Sequence, residues 1–552
     1  MGRLVLLLLF ALVGCPGTER VAPPPPRPPR IVVLLVIDQF PTWTFDRDRA
    51  LFKHGLARML REGGFVRAAE LPYASPFTAV GHASIGTGAV PSVHGIIGNS
   101  WYRRAESRER PAEYDPRSKL FVVGKSHGGE LSAEDGASAK ALRVDGLAEA
   151  LRTATGGRGK SIAVGLKPRA AAFIAGRRPD LAVWYEAAAG GMTTSRAYTD
   201  VAPPWLVELA RTKSATRFFD AEWVPRDPAL LARVTGMADD APGEGSVHGL
   251  DTSFPHPLGK TDAPFRAFLH TPYADELVFD VAEAALDAMQ LGSDDVPDLL
   301  ALSFNARDYA GHLWGPDAWE TLELTLRLDE RLGQFFDVLD RRYGRTGWAA
   351  VLTSDHGATH VVERSTSTAP RRIRKAELVG AAETAIEASF GASLAGKGPW
   401  VASLLSSNLY VTSRFLEQPI DIRRTALSAA ATALAKVPGI ATAGRVDGIT
   451  GSCPVRVGLE RAICLSVADG ESGELYVMPL AGSVISDYKA GTQHDAPFDD
   501  NRQVPILVLA PGVAHQTGKG SLLQVAPTIA ALLGIPPPAA ATEAPLFGLR
   551  PR

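Results

Sequence analysis

The chain has almost no excess charge, very little cysteine, and no apolar run long enough to form a permanent membrane span. Lysine and arginine total 58 against 60 acidic residues, a formal net charge of -2 over 552 residues. A nucleic-acid binder normally carries a basic face to neutralise phosphates, so that class is excluded, while local charge still permits small anions. With only three cysteines, no CxxC spacing and no histidine beside them, a thiolate metal cluster is excluded as well. No internal repeat is evident. Hydrophobic residues make up 45% of the chain, enough for a sizeable core in one large domain with insertions, or in two domains.

What is present begins with "MGRLVLLLLFALVGC", where Arg3 precedes an apolar run too short to span a bilayer. Residues 1–14 therefore read as an export signal. The stretch "LVGC", Leu12 to Cys15, resembles a bacterial lipoprotein box, which makes Cys15 a lipidation candidate; the alternative is an ordinary signal peptide with an incidental cysteine. Residues 15–30 end in "VAPPPPRPPR", an extended polyproline spacer. The expectation is an exported protein, periplasmic or anchored to the outer membrane by its lipid, facing the periplasm or cell surface. In such a compartment Cys453 and Cys464 can pair, and closing that short loop stabilises by about 3 kcal/mol. The alternative is two buried free thiols.

Five short apolar runs read as strands buried on both faces of a parallel sheet: "IVVLLVI" from Ile31, "SIAVGL" from Ser161, "LLALSF" from Leu299, "WAAVLTS" from Trp348 and "VPILVLA" from Val504. Helical periodicity marks "ELVFDVAEAALDAMQL" and "WETLELTLRLDERLGQFFDVLDRR" between them. Alternation of the two implies an α/β sandwich, a mostly parallel central sheet with helices on both faces. The body is residues 31–552, with Gly-, Pro- and Ala-rich segments at about 102–160, 186–265 and 376–487 expected as cap insertions.

Ligands in open parallel sheets bind beyond the carboxyl ends of the strands. Asp38, Lys167, Asp308, and Asp355 with His356 all follow strands. "DYAGH" spaces Asp308 and His312 by one helical turn, and "GTQHDAP" adds His494. Three carboxylates and three imidazoles without thiolate suit zinc or a similar cation, and six ligands suit two ions, a clamp used in phosphoryl transfer. In "GLKPRA", an extended residue before Pro168 lets Lys167 and Arg169 point the same way, towards a dianion. The segment "LPYASPFTAVGHASIGTGAVPSVHGIIGN" holds many hydroxyls, yet GxSxG fails at His82, GxGxxG is incomplete, and the sulfatase pattern fails at Ala74 and Thr78.

Together "VIDQF", "SPFTAVGHASIGTGAVPSVHGIIGNSWY", "GLKPRA", "NARDYAGHLWGP", "TSDHG" and "GTQHDAP" resemble the alkaline phosphatase superfamily, and within it the single-chain, phosphate-irrepressible bacterial alkaline phosphatases with a threonine nucleophile. The resemblance implies that fold. It makes Thr78 the nucleophile of a phosphothreonine intermediate. It assigns one zinc to Asp308, His312 and His494, and a second to Asp38, Asp355, His356 and the Thr78 oxygen. It gives Asn99, Lys167 and Arg169 the phosphoryl oxygens of a small-molecule monoester. His82 and His94 read as packing residues, His360, Tyr309 and Trp314 as shaping the pocket, and Trp101 and Tyr102 as cap or core. A monomer is expected. The competing readings are a phosphodiesterase or nucleotide pyrophosphatase on the same two metals, and a non-catalytic phosphate- or zinc-binding lipoprotein.

Overall fold

A computed structural model describes residues 28–124, 135–390, 394, 396–449, 453–513 and 516–550. The expected signal segment, Cys15 and most of the proline spacer lie outside them. The central sheet is built from β1 (Ile31–Ile37), β2 (Gly64–Glu70), β3 (Ser161–Gly165), β4 (Leu181–Glu186), β5 (Gly191–Thr193), β6 (Asp298–Phe304), β7 (Trp348–Thr353), β8 (Gln503–Leu509) and β9 (Thr517–Ser521), in the order β9-β2-β8-β7-β1-β6-β3-β4-β5. Strands β7, β1, β6, β3 and β4 run parallel. The "VPILVLA" run, expected among them, is β8 and pairs antiparallel with both β7 and β2. A strand covered on both faces is apolar throughout whichever way it runs, so its composition carries no direction.

Alternation along β1 feeds two cores. Val32, Leu34 and Val36 enter one; Ile31, Val33, Leu35 and Ile37 enter the other. The first core is covered by α1 (Thr78–Thr87) and α2 (Pro168–Phe173). The second is covered by α3 (Pro272–Ala288), α4 (Ala306–Leu313) and α5 (Trp319–Tyr343). In α5, Leu324, Leu328, Leu332, Phe335, Phe336 and Leu339 recur at helical spacing and face that core. Among the described residues no helix is long and apolar enough to cross a membrane.

Register brings the strand ends level. Ile37 pairs with Phe304, Val36 with Thr353, and Gly165 with Ser303. Continuing each strand therefore sets Asp38 between Asn305 and Asp355, and Lys167 level with Asn305.

The stretch after β7 builds a second, antiparallel sheet in the order Val401–Leu405, Asn408–Val411, Leu475–Pro479, Ile440–Arg445. Helices Lys375–Phe390 and Ile420–Ala435 cover it through Leu378, Ile386, Leu427 and Leu434. From this module α6 (Gly458–Ser466) reaches back to the main body. Its Ala462 and Ile463 pack on Ala74, whose N–H donates to Ser466 Oγ at 2.8 Å. Cys464 on α6 is bridged to Cys453, with Cα atoms 5.7 Å apart.

The bridge closes a loop with a sequence separation of 11 residues, for which chain entropy gives about 2–3 kcal/mol. Replacing both cysteines with serine is expected to lower the urea midpoint accordingly. An unchanged midpoint would deny the bridge a stabilising role.

Candidate metal and phosphate site

The strand ends carry a cluster of buried charge. Asp38, Asp308, Asp355, His356 and Lys167 are all nearly or fully buried, as is His494. Asp38 Oδ2 accepts from Lys167 Nζ at 2.8 Å and from Asn305 Nδ2 at 2.7 Å, while Oδ1 lies 3.3 Å from His356 Nε2. Lys167 Nζ also pairs with Asp308 Oδ2. Burial pulls the Lys167 ammonium down, but Asp308 and Asp38 outweigh it and raise its pKa. Burial pushes Asp38 up, and Lys167, His356 and His82 together hold it well below the usual carboxylate range.

Two groups have the donors of a metal site. In one, ligand atoms of Asp308, His312 and His494 lie within 4.8 Å of one another; in the other, those of Asp38, Asp308 and His356 do. Asp308 and His312, one turn apart on α4, approach to 3.3 Å. Asp355 joins the second group from the side, its Oδ2 at 3.3 Å from His356 Nε2.

Each imidazole has its Nδ1 at a backbone carbonyl: His312 at Thr492 O, 2.8 Å; His494 at Pro76 O, 2.6 Å; His356 at Gly357 O, 2.9 Å. Donation there turns each Nε2 towards the carboxylates, where in the neutral ring its lone pair is the one a cation would take. Asp38 Oδ1 and Asp355 Oδ2 are buried without hydrogen-bond partners. Orphaned carboxylate oxygens facing imidazole nitrogens fit divalent cations, because a bound cation would supply the partner that no hydrogen bond provides.

Thr78 opens α1, and its Oγ1 lies 3.4 Å from His356 Nε2. The ten-residue helix directs the positive end of its dipole at this point. Asn99 stands beside it: its Oδ1 accepts from Ala79 N at 2.9 Å, which turns Nδ2 outward as a donor. Gly81, one turn into α1, permits the approach, since a Cβ there would lie 2.2 Å from the Asp355 carbonyl oxygen. The expected extended Lys-Pro-Arg alternation is not what forms. Lys167 is extended, but Pro168 starts α2 and Arg169 sits in its first turn. Proline restricts the residue before it while its own φ suits a helix start. Arg169 Nε is buried without a hydrogen-bond partner.

Sequence reasoning missed the supports. Gln39 has φ 61°, a left-handed backbone in which its N–H reaches Asp355 Oδ1 at 3.3 Å and its Nε2 donates to Asp308 Oδ1 at 2.9 Å. Asn305 joins three strand ends, giving Nδ2 to Asp38 and receiving the Leu166 N–H at 2.7 Å. Fully buried Arg307 locks the Gln39 carbonyl and Thr44 Oγ1. Position just after a strand end, second for Gln39 and first for Asn305, was the available signal. His82 contacts Thr78 O at 2.8 Å, Ser303 Oγ at 2.7 Å and Asp355 Oδ2 at 3.2 Å, and His94 contacts Ser84 Oγ at 3.1 Å. Trp314, expected at the pocket, is fully buried in the core, with Nε1 donating to Asp251 O. His360 stacks on Trp43. Trp101 is buried against the second module, donating to Glu471, and Tyr102 packs near Tyr410.

The type I phosphodiesterase / nucleotide pyrophosphatase family matches residues 32–377. Alkaline phosphatase PhoV of Synechococcus elongatus is 33% identical over 344 residues, 62% of this chain and 61% of that protein. Alkaline phosphatase PafA of Elizabethkingia meningoseptica is 26% identical over 561 residues, covering 98% of this chain and 97% of PafA. The crystal structure of wild-type PafA superposes with a TM-score of 0.86 at 26% identity, over 95% of this chain and 99% of that one. A PafA variant with substitutions at one threonine, one asparagine, one lysine and one arginine gives 0.84 over the same shares, again at 26% identity.

Two outcomes follow from this geometry. In the metal-free chain burial lowers His356, but Asp355, Asp38 and Asp308 raise it from its ordinary 6.5 to about 9. Its stabilising contribution is full below pH 6.5 and lost as pH rises through 9. Burial also raises Asp275 to about 8 and Glu244 to about 9, which lowers stability over this range in both forms. Chelated protein should therefore lose more melting temperature than metal-loaded protein between pH 6.5 and 9.5; parallel curves would contradict the assignment. Separately, Gly81→Ala should push α1 off Asp355 and weaken cation binding measured by calorimetry.

Proposed function

Because the chain belongs to the type I phosphodiesterase / nucleotide pyrophosphatase family, on the PafA-like branch of the alkaline phosphatase superfamily, we propose that it hydrolyses phosphate monoesters through a phosphothreonine at Thr78, with two zinc ions. The observation that carries this is Thr78 Oγ1 at 3.4 Å from His356 Nε2, at the head of a helix, beside two cation-fitting groups that share Asp308. The substituted PafA supports the reading. Its Thr-to-Asn and Lys-to-Arg separations equal those between Thr78 and Asn99 and between Lys167 and Arg169.

One group would comprise Asp308, His312 and His494, the other Asp38, Asp355 and His356 with Thr78. When bound, the cations supply Lewis acidity that lowers the pKa of the threonine hydroxyl and offsets charge on the leaving oxygen. Thr78 Oγ attacks phosphorus; the new P–O bond forms as the bond to the alcohol oxygen breaks, and the alcohol leaves with a proton. Water then cleaves the phosphothreonine, releasing inorganic phosphate and restoring the hydroxyl. Asn99 Nδ2 and Arg169 supply donors for the phosphoryl oxygens. Lys167 here neutralises Asp38 and Asp308; with cations on those carboxylates its charge serves the dianionic phosphoryl group instead. The bridged cysteines support export to an oxidising compartment, in keeping with a lipid anchor at Cys15.

Matched aryl monoester and diester substrates test the reading on zinc-loaded protein. Monoester preference is expected. Thr78→Ala should abolish turnover, and Arg169→Ala should lower monoester kcat by about a hundredfold or more with a smaller effect on the diester. A diester preference would assign the site to a phosphodiesterase, and no turnover of either would revive a binding role.

A further inference from the structure

A cavity of about 740 Å³ opens next to His312. It is far larger than a phosphoryl group needs and falls in the size range of sites for drug-sized ligands. Its place relative to the attack direction gives it meaning. Thr78 Oγ1 lies by His356, in the Asp38 group. In-line displacement drives the leaving oxygen away from the attacking one, towards the group of Asp308, His312 and His494. His312 is itself part of the cavity wall.

The wall is a run of rings. Tyr309 lies 5.1 Å from Lys167 Nζ, the His270 ring 5.3 Å from Tyr309, and the His248 ring 6.2 Å from His270. Tyr488, three-quarters exposed, adds another ring to the lining. Burial lowers the pKa of both His270, to about 4, and His248, so both are neutral imidazoles at the pH of the reaction. Apart from the rings, the ionisable lining residues are Lys489 and Glu244; burial raises Glu244 towards its neutral form, and it lies 2.9 Å from Arg364. Neutral rings offer offset-stacked or edge contacts to another ring, while a wall with so little free positive charge gives no grip on a polyanion.

The geometry points to this cavity as the seat of the leaving alcohol, and to a flat, uncharged aromatic group as the alcohol it selects. The inference rests on the phosphomonoesterase reading and narrows its substrate class. Tyr309, His248 and Tyr488 are its specificity-determining side chains, because they bound the cavity without belonging to either cation group.

The test compares benzyl phosphate with ethyl phosphate on zinc-loaded, full-length protein, two monoesters whose alcohols have similar acidity. Leaving-group chemistry then contributes little to their ratio. A kcat/KM advantage of roughly tenfold for the benzyl ester is expected from one or two ring contacts. The ratio should fall towards parity in Tyr488→Ala and His248→Ala, each normalised to its own ethyl phosphate turnover. Equal kcat/KM for the two esters in the parent enzyme would overturn the inference while leaving the monoesterase reading intact; loss of turnover of both would strike the monoesterase reading itself. Cyclohexylmethyl phosphate separates ring stacking from bulk. If it matches the benzyl ester, the cavity selects volume and the aromatic assignment fails.

Discussion

Buried negative charge at the end of the central strand is the constraint on which the rest of the structure depends. Asp38, Asp308 and Asp355 are sequestered from water within a few ångströms of one another. Carboxylates are tolerated there only with countercharge and hydrogen bonds. Lys167 and a protonated His356 supply the charge, and Gln39, Asn305 and the His356 N–H supply the bonds. Two carboxylate oxygens are still left without partners. A cluster so short of positive charge fits added cations, and in their absence Lys167 is its main neutralising group.

The scaffold gives each member of that cluster a separate support. Parallel neighbours in register set Asp38, Asn305, Lys167 and Asp355 at one edge of the sheet. From the first core, α1 brings Thr78 to that edge, with Gly81 pressed on the Asp355 backbone. From the second core, α4 brings Asp308 and His312. The loop leading into α1 is tied at Ala74 to α6 of the second sheet module, and Pro76 O receives His494. Residues hundreds of positions apart thus restrain one hydroxyl.

Most of the sheet was legible in the chain because strands buried on both faces leave continuous apolar runs, and those of β1, β3, β6 and β7 coincide with the expected segments. Direction was not legible: β8 looks like its parallel neighbours and runs against them. The Asp308–His312 pairing was visible as one helical turn, and the three imidazoles as motifs. Gln39, Asn305 and Arg307 were not, since their importance lies in contacts with residues more than a hundred positions away. The geometry of Lys167 and Arg169 was misjudged for a related reason. Proline's effect on its predecessor is local and readable, whereas the helix that follows depends on packing against the sheet.

By itself, then, the sequence determined the chemical inventory: carboxylates, imidazoles and one hydroxyl in glycine-containing motifs after apolar strands, because residue type and short-range periodicity are local properties. Only the tertiary structure decided which of these meet. The sharing of Asp308 between two candidate cation groups, the Nε2 presented by each histidine, and the ring-lined cavity beside His312 all arise from long-range register and packing, in which groups far apart in the chain are held within reach of one another.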